Sequence, residues 1–223
     1  MLLAIDSATR RIGIALYDGT QVLHEAVWQS TNRHSVELTP GIHQALERSG
    51  MTIKDVQVIG LAIGPGSYTG LRIGTAVAKG LALARHLALV GVSTFDILAA
   101  AQTLNPDHRL AVVLSAGRKR LAVGWFESDE TGWRAAADPE LLLPEELSKK
   151  IRNPTLVCGE LDSEALAVLQ RKRKNVAFAS PAQNLRRPAY LAEIAWRRWQ
   201  AGDTDDPATL APHYLQTGEH IPK

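Results

Sequence analysis

Leu2, Leu3, Ala4 and Ile5 form an uninterrupted apolar run that closes on Asp6. That is the pattern of a short buried strand. From Arg11 to Gln29 apolar and polar positions alternate on either side of Asp18-Gly19, a strong hairpin signal, so two further strands are predicted. Leu38, Ile42, Ala45 and Leu46 then recur at helical spacing within residues 35–49. Gly50 is the natural stop for that helix, and Pro40 is expected to kink or interrupt its first turns. A strand over residues 56–63, a glycine-rich loop and a helix from about Thr69 to Arg85 follow. The order is strand, strand, strand, helix, strand, helix.

The second half repeats that order. Residues 109–115 and 120–127 read as strands, with a weaker third at 132–137. A helix at 143–151, a strand at 155–159 and a helix at 163–172 come next, then a short strand at 176–179 and a helix at 189–202. Residues 99–109 are the expected hinge, with Asn105-Pro106 as its turn signal. No sequence identity links the halves; the repeat is one of element order. It predicts an α/β protein of two βββαβα lobes, residues 1–105 and 106–223. That is the duplicated RNase H-like layout of actin and the sugar kinases (the ASKHA fold), an analogy of fold that carries no chemistry by itself.

Composition narrows the classes. With 45% hydrophobic and 22% charged residues the chain of 223 is an ordinary globular sequence, and its net charge of +2 makes no strong case for direct binding to nucleic acid or an anionic membrane. Basic runs at 118–120, 171–174 and 197–198 read first as solvated surface, with direct RNA contact, by the first two above all, as the alternative. The single cysteine, Cys158, excludes an internal disulfide and a multi-cysteine metal site, and its apolar setting predicts a buried structural thiol. A charge at the sixth residue interrupts any signal-peptide core, and no apolar run reaches the length of a membrane span. A cytoplasmic protein without membrane contact is expected.

Residues 64–80 carry five glycines, Gly64, Gly66, Gly70, Gly74 and Gly80, between a strand and a helix. Such a loop can hold phosphate, yet each specific signature fails. The spacing of Gly64, Gly66 and Gly70 is one residue too long for the dinucleotide fingerprint, and Lys79 precedes Gly80 rather than completing Gly-Lys-Ser/Thr. Ser67 follows Gly66 directly, so no nucleophile elbow is present. What remains is a helix N-terminus that can attract an anion. Asp6, Gly64, Gly66 and Ser67 are therefore a candidate vestigial nucleotide or phosphate loop, beside the simpler reading that the glycines permit a tight turn and close packing.

The segments AIDSATRRIGIALYDG, RHSVELTPGIHQAL, GLAIGPGSYTGLRIGTAVAKGLALA and LVGVSTFDILA closely resemble the TsaB (YeaZ) family, as does LAPHYLQ near the end. The resemblance is dense over residues 1–100 and thin from 101 to about 207. It implies a place in making threonylcarbamoyladenosine (t6A) beside the tRNA anticodon. The implied role is a partner of the catalytic paralogue TsaD, together with the ATPase TsaE, and contact with tRNA only indirectly. Where the catalytic paralogue carries His-x-x-x-His, this chain has Thr94 and Leu98, and Asp96 between them cannot rebuild a metal site. No two of its histidines (24, 34, 43, 86, 108, 213 and 220) stand at i, i+4, and His34 is expected in a solvated or capping role. ATPases of the duplicated fold place an acid at the end of the first strand of each lobe to hold the phosphate's cation. Asp6 fills the first place, and Ser115 stands in the second. The resemblance thus implies no catalytic residue, no metal and no cofactor. A small ATP-dependent phosphotransferase or a metallopeptidase of the same fold is the alternative.

Gly70, Gly74, Ala78 and Ala82 recur every four residues, a stripe of small side chains along one helix, flanked by Leu71, Ile73, Val77 and Leu81. The family's pairing through first-lobe helices implies that Gly70, Gly74, Val77, Ala78 and Leu81, with Leu38 and Ile42 of the preceding helix, form the partner interface. The same surface would serve a homodimer when the protein is alone and the TsaD-type subunit otherwise. The alternative is that the stripe packs on the protein's own sheet.

Overall fold

A computed structural model of the chain describes residues 1–31, 33–172 and 174–215, in two compact units with a sheet each. The first unit opens with an antiparallel meander of β1 (Leu2–Asp6), β2 (Arg11–Tyr17) and β3 (Val22–Gln29). Strands β4 (Val58–Gly64) and β5 (Ala88–Ser93) extend it in parallel, giving the order β3-β2-β1-β4-β5. Every residue of the central strand β1 is buried. Its Leu3 and Ile5 join a core with α1 (His34–Arg48) and α2 (Tyr68–Arg85), while Leu2 and Ala4 join a second core with α6 (Pro188–Gln200). Cover on both faces is why the strand is apolar throughout.

Two expectations change here. Helix α1 runs unbroken through Pro40. Pro40 and Val36 are both exposed, so the carbonyl that the missing N–H leaves unpaired faces water. Strand β5 and helix α3 (Thr94–Ala100) occupy residues 88–100, which the repeating element order leaves unassigned. The stretch ALVGVSTFDILAA is apolar with no dominant period, so spacing alone does not divide it.

The second unit contains β6 (Arg109–Ser115), β7 (Leu121–Asp129), β8 (Gly132–Ala135), β9 (Glu140–Leu142), α4 (Pro144–Lys150), β10 (Thr155–Gly159), α5 (Ser163–Gln170) and β11 (Val176–Phe178). Its sheet has the order β11-β10-β6-β7-β8, with β9 also on β7. Taken from β8, this repeats the first sheet: an antiparallel meander, then two parallel strands on the far side of its first member. The duplication expected from element order is present, over a core that includes Val113, Val123, Trp125, Leu147 and Leu169.

A single cut at residue 105 does not describe these units. The first comprises Met1–Ile97 and Arg186–His213, and the chain between belongs to the second. The physical reason is α6. Its Leu191, Ala192 and Ala195 are fully buried against Leu2, Ala4, Ala15, Val58 and Val90, closing the face of the first sheet that α1 and α2 leave open. Beyond α6 the chain stays on this unit as far as His213. Asp205 bridges Leu89, Lys79 Nζ donates to the carbonyls of Ala208 (3.2 Å) and Leu210 (2.9 Å), and His213 N–H donates to Ile63 O at 2.7 Å. Among the described residues no helix is long and apolar enough to cross a membrane.

Candidate functional site

The glycine segment begins where β4 ends and leads into α2, capped by the Ser67 hydroxyl, which accepts from Gly70 N–H at 3.3 Å. The turn joining β1 to β2 comes down on this helix. Ser67 N–H donates to Ala8 O at 2.6 Å and Ser7 Oγ donates to Gly70 O at 2.8 Å. A Cβ at Gly70 would collide with the carbonyl oxygen of Ser7, one at Gly74 with the Ser7 hydroxyl, and one at Gly66 with the carbonyl oxygen of Ala8. The glycines are therefore where they are because a second backbone crosses the helix at contact distance. Of the candidate phosphate loop, Asp6, Gly66 and Ser67 are brought together through Ala8, whose N–H donates to Asp6 Oδ1 at 2.9 Å. Gly64 takes a positive φ of 112° and lies instead against the His213 carbonyl.

The same geometry corrects the expected interface. Gly70 and Gly74 are buried against the protein's own turn between β1 and β2, and Ala78 is buried in one core with Leu38 and Ile42. Val77 and Leu81 are half-buried and pack on that core. Small residues on α2 serve its approach to the sheet rather than a groove for an outside helix. The face that α2 leaves open carries Arg72, Ala76, Gly80 and Leu83. Leu83 is 61% exposed, and a Cβ added to Gly80 would meet nothing within 4 Å. At the start of this face the Arg72 guanidinium stacks 4.3 Å from the centre of the exposed Tyr68 ring.

Asp6 itself is closed off from water, and its partner is a residue that spacing could not reveal. Arg186 Nε donates to Asp6 Oδ2 and Arg186 Nη2 donates to Thr9 Oγ1 at 3.0 Å, with both charged side chains buried. His34 is buried too, not solvated, and its Nε2–H donates to Thr9 O at 2.8 Å. The next residue, Arg187, pairs with Glu25. The only trace in the sequence is an Arg-Arg pair before a proline-led helix, 180 residues from the acid it neutralises.

The remaining candidate chemistry is dispersed. Thr94 and Leu98 lie one turn apart on α3, both buried, and the Thr94 hydroxyl has no hydrogen-bond partner among the described residues. A hydroxyl and a leucine do not fit a transition metal. Among the described residues no group of three or more His, Cys, Asp or Glu side chains could hold one. Asp96 is held above the ordinary carboxylate range by burial, which the positive charge of Arg198 partly offsets. Ser115 ends β6, so that strand presents no acid. Burial pushes the Cys158 thiol up to about 12, which leaves it inert as a nucleophile. The basic runs do not form one patch. Arg118 to Arg120 follow the carboxyl end of β6, whereas Arg171, Lys172 and Lys174 precede the amino end of β11, on the same side as the start of β6. A seven-residue strand separates the two ends by roughly 20 Å. Arg173 lies outside the described residues, as does His220. Lys119 pairs with Glu164 at 2.9 Å, and Arg198 is held by Asp203 and the Gly91 carbonyl.

Sheet order and duplication define an α/β chain with the fold of actin and the sugar kinases. The structure of YeaZ from Pseudomonas aeruginosa superposes with a TM-score of 0.80 at 24% identity, covering 96% of this chain and 99% of that one. A ROK family protein from Streptococcus pneumoniae TIGR4, solved with sucrose, gives a TM-score of 0.50 at 11% identity, covering 90% of this chain and 99% of its own. The family model described as "TsaD: tRNA N6-adenosine threonylcarbamoyltransferase" matches residues 21–196. The "tRNA threonylcarbamoyladenosine biosynthesis protein TsaB" of Bacillus subtilis is 29% identical over 222 residues, 98% of this chain and 95% of the relative. The chain belongs to the TsaB (YeaZ) family, within the wider TsaD family.

Proposed function

We propose that this chain is a non-catalytic subunit in the biosynthesis of threonylcarbamoyladenosine on tRNA, and that it binds and supports a TsaD-type catalytic subunit. Its relatives' names supply the pathway. The observation that carries the subunit role is the open face of α2. Arg72, Ala76, Gly80 and Leu83 align on one side of an 18-residue helix whose opposite side is fixed to the sheet. Small residues at 76 and 80 leave a shallow channel beside the exposed Leu83, a surface into which another helix can seat its ridges. Val77 and Leu81, half-buried on its flank, retain part in this interface, whereas Gly70, Gly74, Ala78, Leu38 and Ile42 support it from beneath. The same face serves a homodimer of the protein alone, so the homodimer and the complex exclude one another. A TsaE-type ATPase joins the assembled pair, and tRNA is engaged through the catalytic subunit.

The donor sets that an enzyme of this class needs lend the alternatives no support. Thr94 and Leu98 do not suit a peptidase metal, and β6 ends in a serine where a phosphotransferase would hold its cation. Ala76→Arg and Gly80→Arg test the reading directly. Each should abolish capture of the catalytic subunit by the purified protein while leaving its melting temperature within about 2 °C of wild type, as exposed substitutions do. Depletion in cells should lower t6A in bulk tRNA while threonylcarbamoyl-adenylate synthesis continues. Undiminished capture by both variants would remove this face from the interface. Unchanged t6A after depletion would remove the function.

A further inference from the structure

Asp6 stands at the carboxyl end of β1, the middle strand of the first sheet, which is where open α/β sheets hold their ligands. Two oxygens converge there, Asp6 Oδ2 and Thr9 Oγ1, and both meet the Arg186 guanidinium. Asp6 is 1% exposed and Arg186 5%, so the carboxylate has exchanged water for one organic cation at Oδ2 and the Ala8 N–H at Oδ1. A buried carboxylate demands a counter-charge, and an all-oxygen donor set suits a hard cation.

We propose that Arg186 is the resident cation of an oxygen-lined site, and that its occupancy keeps a divalent metal, and with it metal-bound phosphate, out of the first unit. An arginine keeps its charge at any physiological pH. This one also cannot dissociate: it sits two residues before Pro188 opens α6, and α6 is packed across the back of the same sheet. A metal at such a site would come and go with its nucleotide; the arginine is covalently retained. The turn over residues 7–9 is held from both sides, by Arg186 at Thr9 and by α2 at Ser7 and Ala8. This deepens the non-catalytic role proposed above by naming the residue that closes the site, and it rests on that role only for its biological sense.

The test uses the full chain. Arg186→Ala should lower the melting temperature by roughly 10 °C, as loss of one partner of a buried pair does. Millimolar Mn2+ should recover most of that loss. Manganese relaxation should then count one bound ion in Arg186→Ala, none in the Asp6→Asn/Arg186→Ala double variant, and no Asp6-dependent ion in wild type. Guanidinium ion, at concentrations too low to denature, reports whether the vacated space is intact. Rescue by guanidinium but not by Mn2+ would mean a fixed ion pair and would overturn metal exclusion. Rescue by neither, including a variant that stays unfolded at every Mn2+ concentration, would overturn the cation site altogether. An Asp6-dependent Mn2+ ion in wild type would do so as well. Capture of the catalytic subunit by the Mn2+-restored variant, measured alongside, reports on the partner reading separately.

Discussion

Two glycines on α2 should respond oppositely to one added methyl group. Replacing a helical glycine by alanine gains up to about 1 kcal/mol from backbone entropy and propensity. At Gly80 nothing lies within 4 Å of the new Cβ. Gly80→Ala should therefore stabilise the protein by roughly 0.5–1 kcal/mol and raise its melting temperature by about 2 °C. At Gly70 the new Cβ would overlap the carbonyl oxygen of Ser7. That oxygen is backbone and cannot rotate aside, and its turn is tied to α2 by Ser7 Oγ to Gly70 O (2.8 Å) and Ser67 N–H to Ala8 O (2.6 Å). Separating turn and helix puts both hydrogen bonds at risk, at about 1 kcal/mol each, and adds an overpacking cost of about 1–3 kcal/mol. The propensity gain offsets only part of this, so Gly70→Ala should cost on the order of 2–4 kcal/mol and lower the melting temperature by roughly 10 °C. Gly74→Ala should fall between them, because its obstacle is the Ser7 hydroxyl, a side-chain atom that can turn away. Circular-dichroism melting and urea titration of the three variants measure the ranking. If Gly70→Ala melts with wild type, the turn does not rest on the helix. If Gly80→Ala loses stability, its face is covered and is not available to a partner.

Two more outcomes follow from burial. Burial raises the Asp96 carboxyl above its ordinary value, so between that value and its raised one the folded state binds more protons than the unfolded. Its contribution to stability declines as pH rises through that window and stays reduced above it. Asp96→Asn should flatten this part of the pH–stability profile and raise stability at pH 7; a profile unchanged from wild type refutes the assignment. A chain ending at Leu185 lacks Leu191, Ala192 and Ala195 and bares the face formed by Leu2, Ala4, Ala15, Val58 and Val90. It should bind a hydrophobic dye and lose the cooperative melting of the first unit. A native-like first unit in that truncated chain would show that α6 is dispensable.

Much of the architecture was legible because strands and helices here keep clean periods. Leu3 and Ile5 alternate with Leu2 and Ala4, Leu38, Ile42, Ala45 and Leu46 mark one helical face, and the element order repeats after residue 105. Period says nothing about which surface a face meets. The amphipathic α6 was readable as a helix, yet its docking on the first sheet depends on a complementary apolar face formed by residues more than 90 positions earlier. Arg186 is beyond spacing for the same reason: a buried pair is a fact of three dimensions, and its acid lies 180 residues away.

The small-residue stripe of α2 shows where a further signal was available. Gly70 and Gly74 suit a partner helix and the protein's own backbone equally well, since both need the same missing Cβ. What separates the two is the rest of the helix. Tyr68 and Arg72 lie two positions from Gly70, about 200° around the axis, on the side opposite the stripe, and both are exposed. A helix between a sheet and water turns its charged side outward. Arg72 therefore already directed the glycines inward, toward the Ser7 backbone, and left the open face to Ala76, Gly80 and Leu83. A partner that docks on this helix must accommodate Arg72, which makes an acidic or carbonyl-rich counter-surface the chemistry to seek opposite the first turn of α2.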